Sequence, residues 1–426
     1  MIASRYHSFL HNNKYTNNTN TTPTPTNMKI TKSLIVTMAL LCVGANATET
    51  IYITGSTAFR AGALNAIKNL LGGVAPTAQS NATFTSANGC NWIGVTYNGH
   101  TINVKTSFYG STGGIQTVSE SVAWPFLIDS ATSAQAQGET FVPGSTSMTY
   151  FHDIQVPNIA MGDSYQSTTP FTTTTLNDIT VGIVPFQFVA SYGAPTGQSM
   201  NNHLFNAIFS GGSCTLTQMT GNSADLAKSL FALGRDADSG TRTITLCETG
   251  YGASTAVAQY KPVVSGTSIM SHAFYPSNTI NGIFYDVGNT GYPSGGTVAG
   301  LVRNESLTHL NGYYVTYLGK SDANTALNGS GGAGNAVPLA WNGVNYYTGG
   351  GVFNDAAITS GQYTFWSYEH VLYPNQVVGS QAEVFAPALG AAIKGTSAGT
   401  GTIGTAGISL YSMAVVRSGD GTYVTY

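Results

Sequence analysis

Charged side chains are scarce in this 426-residue sequence. Only 8% of the residues are Asp, Glu, Lys or Arg, against roughly a quarter in an average globular protein. With 15 Lys and Arg against 18 Asp and Glu, the chain lacks the basic patch that nucleic-acid binding requires, so we expect no nucleic-acid partner. Solubility has to come from neutral polar side chains, and an arginine placed in a polar loop therefore needs a reason.

Cysteine and histidine are also rare, with 4 Cys and 8 His. The histidines are scattered without the close spacing of a metal site, so we expect no metal and no cofactor. Three cysteines follow the N-terminal leader described below, namely Cys90, Cys214 and Cys247. An exported protein can form a disulfide. We place it at Cys214–Cys247 and leave Cys90 free, although sequence spacing by itself leaves the pairing open.

The first 47 residues do not have the composition of a folded domain. Residues 1–27 are rich in Asn, Thr and Pro, which predicts disorder or an extension upstream of a true start at Met28. Residues 28–47 combine two lysines, an apolar run and an Ala-Asn-Ala cleavage site, which predicts a signal peptide cleaved after Ala47. We therefore expect a periplasmic or extracellular protein that begins at residue 48.

Two short polar stretches of the remaining chain have the pattern of anion-binding loops. Residues 54–60 and 235–241 each place small hydroxyl residues and a glycine where a loop can turn into a helix. Such a turn offers backbone N–H groups and the positive end of the helix dipole to an anion. Arg235 adds a guanidinium, which can hold a tetrahedral oxyanion through two parallel hydrogen bonds.

Two further loops follow segments with strand character. Residues 110–114 form a glycine-flanked hydroxyl turn that contains Ser111, and Asp163 follows residues 154–161, which we predict to be a buried strand. Ligands of open α/β sheets lie beyond the carboxyl ends of the strands. An ionised carboxylate only accepts hydrogen bonds, so Asp163 would favour an oxyanion that carries a proton, such as hydrogen phosphate, over sulfate. Taken singly, each loop could also be an ordinary turn or helix cap.

Taken in order, the four loops resemble those of the periplasmic phosphate-binding proteins of ABC importers, the type II, PstS-like class. The matching residues are Gly55-Ser56-Thr57-Ala58-Phe59 for the first phosphate loop, Gly110 to Gly114 for the second, Asp163 for the carboxylate, and Arg235 with Ser239-Gly240-Thr241 for the Arg-x-x-x-Ser-Gly-Thr loop. In the best-known members, an acidic residue that orients the arginine stands two positions after it. This chain has Ala237 there, between Asp236 and Asp238.

The resemblance implies an α/β fold of two lobes, each with a mixed sheet flanked by helices, and a ligand cleft between them. Lobe I would comprise about 48–188 and 356–426, and lobe II about 189–355. The resemblance also implies phosphate or a related oxyanion as the ligand and an ABC permease as a partner, which the sequence itself does not reveal. We expect a monomer. The expected ligand-binding residues are Ser56, Thr57, Ala58, Phe59, Ser111, Asp163, Arg235, Ser239, Gly240 and Thr241.

Two other classes of function can be weighed against this one. Ser239 could be a nucleophile, but no histidine lies in a matching motif and the Gly-x-Ser-x-Gly pattern is absent, so we expect no enzyme. A cell-surface structural or adhesion protein with the same fold would fit the low charge and the segments 74–100 and 125–153, which have the character of surface insertions. Intact donors in all four loops favour the solute-binding protein.

Further elements are predicted from the apolar pattern. We expect a long buried strand at 180–192, and the resemblance implies a second crossing strand at 358–365. A closing helix is predicted at 383–393, with Pro387 near its start. The β-branched residues after Thr241 weaken the prediction of a helix there.

Overall fold

Strands and helices alternate along most of the chain. The computed structural model describes residues 48–139, 148–399 and 401–426. The strands of these residues are β1 (Glu49–Gly55), β2 (Ala78–Gln79), β3 (Gly89–Tyr97), β4 (His100–Phe108), β5 (Trp124–Phe126), β6 (Asp153–Gln155), β7 (Ile159–Gly162), β8 (Asn177–Ala190), β9 (Ser199–Met200), β10 (Ser213–Thr215), β11 (Ser229–Ala232), β12 (Tyr260–Ser265), β13 (Ser268–Phe274), β14 (Asn278–Ile280), β15 (Ile283–Tyr285), β16 (Gly312–Gly319), β17 (Val337–Trp341), β18 (Tyr347–Gly349), β19 (Val352–Phe353) and β20 (Trp366–Tyr373).

The α-helices of the described residues are α1 (Arg60–Leu70), α2 (Ser111–Ser119), α3 (Ser133–Gln137), α4 (Asn202–Gly211), α5 (Thr217–Thr220), α6 (Gly240–Glu248), α7 (Gly295–Leu301), α8 (Leu307–Leu310), α9 (Lys320–Asn328), α10 (Asp355–Thr359) and α11 (Gln381–Lys394). Within the described ranges, no helix is both long and apolar enough to cross a membrane. The expected signal peptide and the extension before it lie outside the described residues.

A mixed sheet organises the described residues, in the order β10-β11-β16-β8-β20-β7-β1-β4-β3-β2. The long strand β8 connects its two halves: residues 177–185 pair with β20, and residues 186–190 pair with β16. Both pairings are antiparallel, whereas β1 runs parallel to β4 and β7, and β11 runs parallel to β16. Helices α1 and α11 pack on each other, and α2 packs on β7 and β1. The predicted α/β class with a mixed sheet flanked by helices is confirmed.

Parallel pairing brings three loops to one edge of the sheet. Gly55 at the end of β1 stands opposite Phe108 at the end of β4 and opposite Met161 in β7. Because the carboxyl ends of parallel strands meet at the same edge, the loop after β1, the start of α2 and Asp163 lie together there. Gly55 has a φ of +112°, and a Cβ on it would lie 2.0 Å from the Met161 carbonyl oxygen, so only glycine fits this close approach.

Several local predictions were wrong in their bounds. Residues 154–161 form two short strands, β6 and β7, because Pro157 between them cannot donate to a ladder. The crossing strand β20 begins at Trp366, and the segment expected at 358–365 contains the end of helix α10 instead. The closing helix predicted at 383–393 is present as α11, which begins two residues earlier, at Gln381, and contains Pro387.

Two segments were predicted to be surface insertions. The prediction for 74–100 needs correction, and part of 125–153 lies outside the described residues. Residues 74–100 include β2 and β3, which extend the main sheet beyond β4, and the Asn98-Gly99 turn connects β3 to β4. Of residues 125–153, the part from 140 to 147 lies outside the described residues.

The expected Cys214–Cys247 disulfide is not formed, since Cys90, Cys214 and Cys247 are all free thiols. Cys214 lies on the edge strand β10 and Cys247 in the last turn of α6.

Candidate anion-binding site

Helices α2 and α6 begin against each other. A Cβ on Gly240, the first residue of α6, would lie 2.6 Å from Cβ of Ser111, the first residue of α2. The N–H of Gly113 donates to the carbonyl of Asp238 at 3.2 Å. A Cβ on Gly110 would lie 2.2 Å from that same carbonyl oxygen. Glycines at these positions therefore let two positively polarised helix ends approach one point.

The β-branched start of α6 forms a helix despite its sequence. Ser239 is the N-cap residue, and its Oγ accepts the N–H of Arg242 at 3.3 Å. The hydroxyl of Thr245 donates to the carbonyl of Thr241 at 2.7 Å, and Thr249 makes the equivalent bond to Thr245. Capping and burial therefore outweigh the weak intrinsic helix propensity of this segment.

Asp163 lies directly against the start of α6. Its side chain is 1% exposed, and its Oδ1 has no hydrogen-bond partner among the described residues. Thr241 Oγ1 lies 3.5 Å from Oδ2. Burial raises the pKa of Asp163, while Ser111 and the Arg235 guanidinium oppose that rise. A buried acceptor therefore faces the two helix ends with one oxygen unsatisfied.

The Arg235 side chain is buried and firmly held. Its Nε donates to the carbonyl of Tyr292 at 3.1 Å, and its Nη2 donates to the carbonyl of Pro293 at 2.7 Å. A Cβ on Gly295 would lie 3.3 Å from Arg235 Nη1 and 2.0 Å from Asp322 Oδ2. Arg235 Nη1 and Asp322 Oδ2 are therefore at most 5.3 Å apart. Two carbonyls and Asp322 thus surround the guanidinium, in place of the acidic residue that the resemblance leads one to expect at position 237.

The acidic residues beside Ala237 hold the loop itself. Asp236 Oδ2 accepts the hydroxyl of Tyr109 at 2.7 Å. Both oxygens of Asp238 accept from the Asn281 amide, at 3.1 and 3.0 Å. Burial and the nearby charge of Asp236 raise the pKa of Asp238 well above its ordinary value. Ala237 itself lines a neighbouring cavity of about 350 Å³.

The loop after β1 reaches the same edge of the sheet. The N–H of Ser56 donates to the Met161 carbonyl at 2.8 Å, and Ser56 Oγ accepts the N–H of Phe59 at 3.2 Å. Ser56 therefore caps the turn locally, and helix α1 starts at Arg60. Ala58 packs on the end of β16, since its Cβ lies 3.4 Å from the Cβ position of Gly319. Thr57 in this loop is partly exposed.

Of the ten residues expected in the site, the structure clusters Ser111, Asp163, Arg235, Ser239, Gly240 and Thr241 around the starts of α2 and α6, and brings Ser56, Thr57, Ala58 and Phe59 to the same sheet edge. Sequence reasoning missed Asp322, the carbonyls of Tyr292 and Pro293, and the buried Glu369, whose pKa is raised by burial and by the charge of Asp163. No local motif marks them, because they reach the site from distant parts of the chain.

Comparison with known proteins gives similarity in structure only. No protein-family model matches the sequence, and no curated protein matches it. A putative phosphate ABC transporter substrate-binding protein with bound phosphate from Clostridium perfringens is similar over 85% of this chain and 99% of its own, with 12% identity and a TM-score of 0.44. An ABC-type phosphate transport receptor from Vibrio cholerae is similar over 84% and 99%, with 16% identity and a TM-score of 0.44. A mutant of the OxyR protein of Corynebacterium glutamicum is similar over 82% and 66%, with 10% identity and a TM-score of 0.36. The structures found thus include the class of protein that the sequence motifs resemble.

Proposed function

We propose that this protein is a non-enzymatic solute-binding protein that captures a tetrahedral oxyanion, with phosphate as the expected ligand. The observation that carries the proposal is the placement of one buried cation, Arg235, and one buried acceptor, Asp163, around the facing N-terminal ends of α2 and α6. A hydrated anion binds tightly only where protein donors replace its water.

The donors come from several elements. The first N–H groups of a helix have no partner within the helix, so those of Gly240 and Thr241 stay available to a ligand. The hydroxyls of Ser111 and Thr241 add donors, and Arg235 adds charge. Ser239 is already engaged as the cap of α6. That role suits a binding loop better than a nucleophile, which needs a base beside it.

The carboxylate of Asp163 gives the proposed site its selectivity. A carboxylate that only accepts hydrogen bonds attracts a ligand that can donate one. Hydrogen phosphate carries such a proton at neutral pH, whereas sulfate has none to donate. We therefore propose that Asp163 discriminates between these two anions by leaving sulfate with an unfavourable contact between like charges.

We also propose that the site closes between two lobes, 48–188 with 356–426 and 189–355. Ser111 and Asp163 belong to the first of these, and Arg235 to Thr241 belong to the second, so a bound anion would be held from both sides. Delivery to an ABC permease outside the cytoplasm completes the proposal. Export rests on residues 28–47, which lie outside the described part of the chain.

The test is a calorimetric titration of the folded, ligand-free protein with phosphate and then with sulfate at neutral pH. Binding of phosphate with little or no heat from sulfate is the expected result. A folded protein that binds neither anion would contradict the proposal and would favour the structural or adhesion alternative.

A further inference from the structure

A second buried carboxyl group lies beside Asp163. Strand β20 pairs antiparallel with β7, with His370 opposite Gly162 and Val371 opposite Met161. Asp163 follows the last residue of β7, so this register extended by one residue would set Glu369 opposite Asp163, and the charge of Asp163 does act on Glu369. Side chains of directly opposite residues lie on the same face, with Cβ atoms roughly 4.5–5.5 Å apart. The register therefore brings the two carboxyl groups within reach of each other.

Both groups leave carboxyl oxygens without a hydrogen-bond partner among the described residues. Glu369 is 0% exposed, and neither of its carboxyl oxygens has a hydrogen-bond partner among the described residues. Asp163 Oδ1 lacks a partner as well. Two ionised carboxylates in this position would repel each other without water to screen them. One proton shared between them removes the repulsion and supplies the missing hydrogen bond.

The surroundings decide which group carries the proton. Burial, and then the charge of Asp163, raise the pKa of Glu369 well above its ordinary value. Burial also raises the pKa of Asp163, but Ser111 and Arg235 pull it down again. The proton therefore belongs on Glu369, and the negative charge belongs on Asp163, next to the donors of the anion site.

We propose that Glu369 is a specificity-determining residue of the anion site: as a neutral acid it donates a hydrogen bond to the Asp163 carboxylate and keeps it ionised. This inference rests on the proposed function, because the ionised Asp163 is what selects an oxyanion with a proton. Without the Glu369 donor, Asp163 takes up a proton more readily and becomes able to donate to sulfate.

Other titratable groups lie near Glu369 and Asp163, and their titration has to be distinguished from that of these two residues. On the same strand, His370 Nδ1 bonds Asp178 Oδ1 of β8 at 2.7 Å, and Tyr368 lies two residues away from His370. Asp420 accepts the N–H of Tyr165 at 2.8 Å, and burial raises the pKa of Asp420 to about 6. Arg235 acts on Asp163 from the helix side. Asp420→Asn is therefore measured beside the Glu369 variants in the binding test below, as the control for a group that titrates near neutral pH.

The binding test compares two substitutions at one position. Glu369→Gln keeps a neutral donor of the same shape, and Glu369→Met removes the donor while keeping the volume. We expect Glu369→Gln to keep the ratio of phosphate to sulfate affinity within about threefold of wild type, and Glu369→Met to lower it by about tenfold or more. The pH at which phosphate binding strengthens should move upward in Glu369→Met only. At each pH, the phosphate affinity of the variant is divided by that of wild type, so that the titration of phosphate itself cancels. Equal behaviour of the two variants, or tighter binding by both, would overturn the proposal.

Infrared difference spectroscopy tests the proton without any ligand. Subtracting the Glu369→Gln spectrum from that of wild type at neutral pH should show a protonated carboxylic acid that shifts in D₂O and moves in Asp163→Asn. A difference that shows a carboxylate instead would overturn the proposal, even if Glu369→Met does not fold. Wild-type protein that shows the acid band but binds no anion would contradict the proposed function alone.

Discussion

Gly240 and the carboxylate of Asp163 occupy adjoining space: a Cβ on Gly240 would lie 1.5 Å from Asp163 Oδ1. The first residue of α6 therefore has to be glycine if the carboxylate is to rest against the helix end. The contact joins a residue after β7 to one seventy-seven positions further along the chain, and it fixes the acceptor of the proposed site relative to its donors.

Gly240→Ala should therefore abolish the alignment of donors and acceptor. We expect phosphate binding to weaken by about tenfold or more, because at least one charge-assisted hydrogen bond to the ligand is lost. Calorimetry measures the change in affinity. Gly300→Ala is the matched control, since a Cβ at this helical position meets nothing within 4 Å. Equal affinities of both variants would show that the Gly240 contact does not shape the site.

Arg235→Ala should abolish anion binding while the fold persists, because the guanidinium supplies charge that no neighbouring hydroxyl replaces. Arg235→Lys should also weaken binding, since an ammonium cannot bond the carbonyls of Tyr292 and Pro293 and the ligand in the same way. Lys228→Ala removes one positive charge at a pair with Asp225 and serves as the control. Circular dichroism checks folding, and unchanged affinity in a folded Arg235→Ala protein would contradict the assigned pocket.

Asp163→Asn should relax the discrimination against sulfate. The amide keeps the shape but adds two donors, so sulfate no longer meets a repulsive carboxylate. We expect sulfate heats to become measurable, with weaker phosphate binding, in the same titration. Asp225→Asn, which removes a carboxylate that pairs with Lys228, is the control. A folded Asp163→Asn protein that still rejects sulfate would show that this carboxylate is not the filter.

A stability prediction concerns the buried Lys105. Its Nζ lies 2.5 Å from both Asp129 Oδ1 and Asp153 Oδ2 and donates to the carbonyl of Leu127 at 2.8 Å. Lys105→Met should lower the free energy of unfolding by about 2 kcal/mol, less than for a fully buried pair because water screens the exposed Asp129. Urea unfolding measures the change. Lys228→Met, where the lysine is partly exposed beside Asp225, should change stability little.

The pH dependence of the Lys105–Asp153 ion pair has a definite sign. Burial by itself would raise the pKa of Asp153, but hydrogen bonds from Lys105 and Gln155 bring that pKa below its ordinary value. A carboxyl with a lower pKa in the folded state stabilises above its unfolded pKa and loses this contribution as the pH falls through the folded value. The difference between wild type and Lys105→Met should therefore be full at neutral pH and shrink below about pH 4. A difference that grows on acidification would contradict the ion pair.

The sequence was most informative where a structural feature depends on a few consecutive residues. The loop from Arg235 to Thr241 signals a helix start through its cap and glycine, and α6 indeed begins at Gly240. The long apolar run was correctly predicted as the buried strand β8. The strand expected at 154–161 was wrong in its bounds because Pro157 interrupts it, whereas the closing helix expected at 383–393 is present and contains Pro387.

By itself, the sequence determined the four polar loops, their order and the presence of Arg235 and Asp163 among them, because caps, glycines and hydroxyls act within a few residues. Only the tertiary structure decided what surrounds them. Parallel pairing carries the ends of β1, β4 and β7 to one edge, and the pairing of β20 with β7 brings Glu369 close enough to Asp163 for their charges to interact. Asp322 arrives beside Arg235 from α9. Such contacts depend on strand order and register, which no short motif encodes, since they join residues that are neighbours only after the sheet has formed.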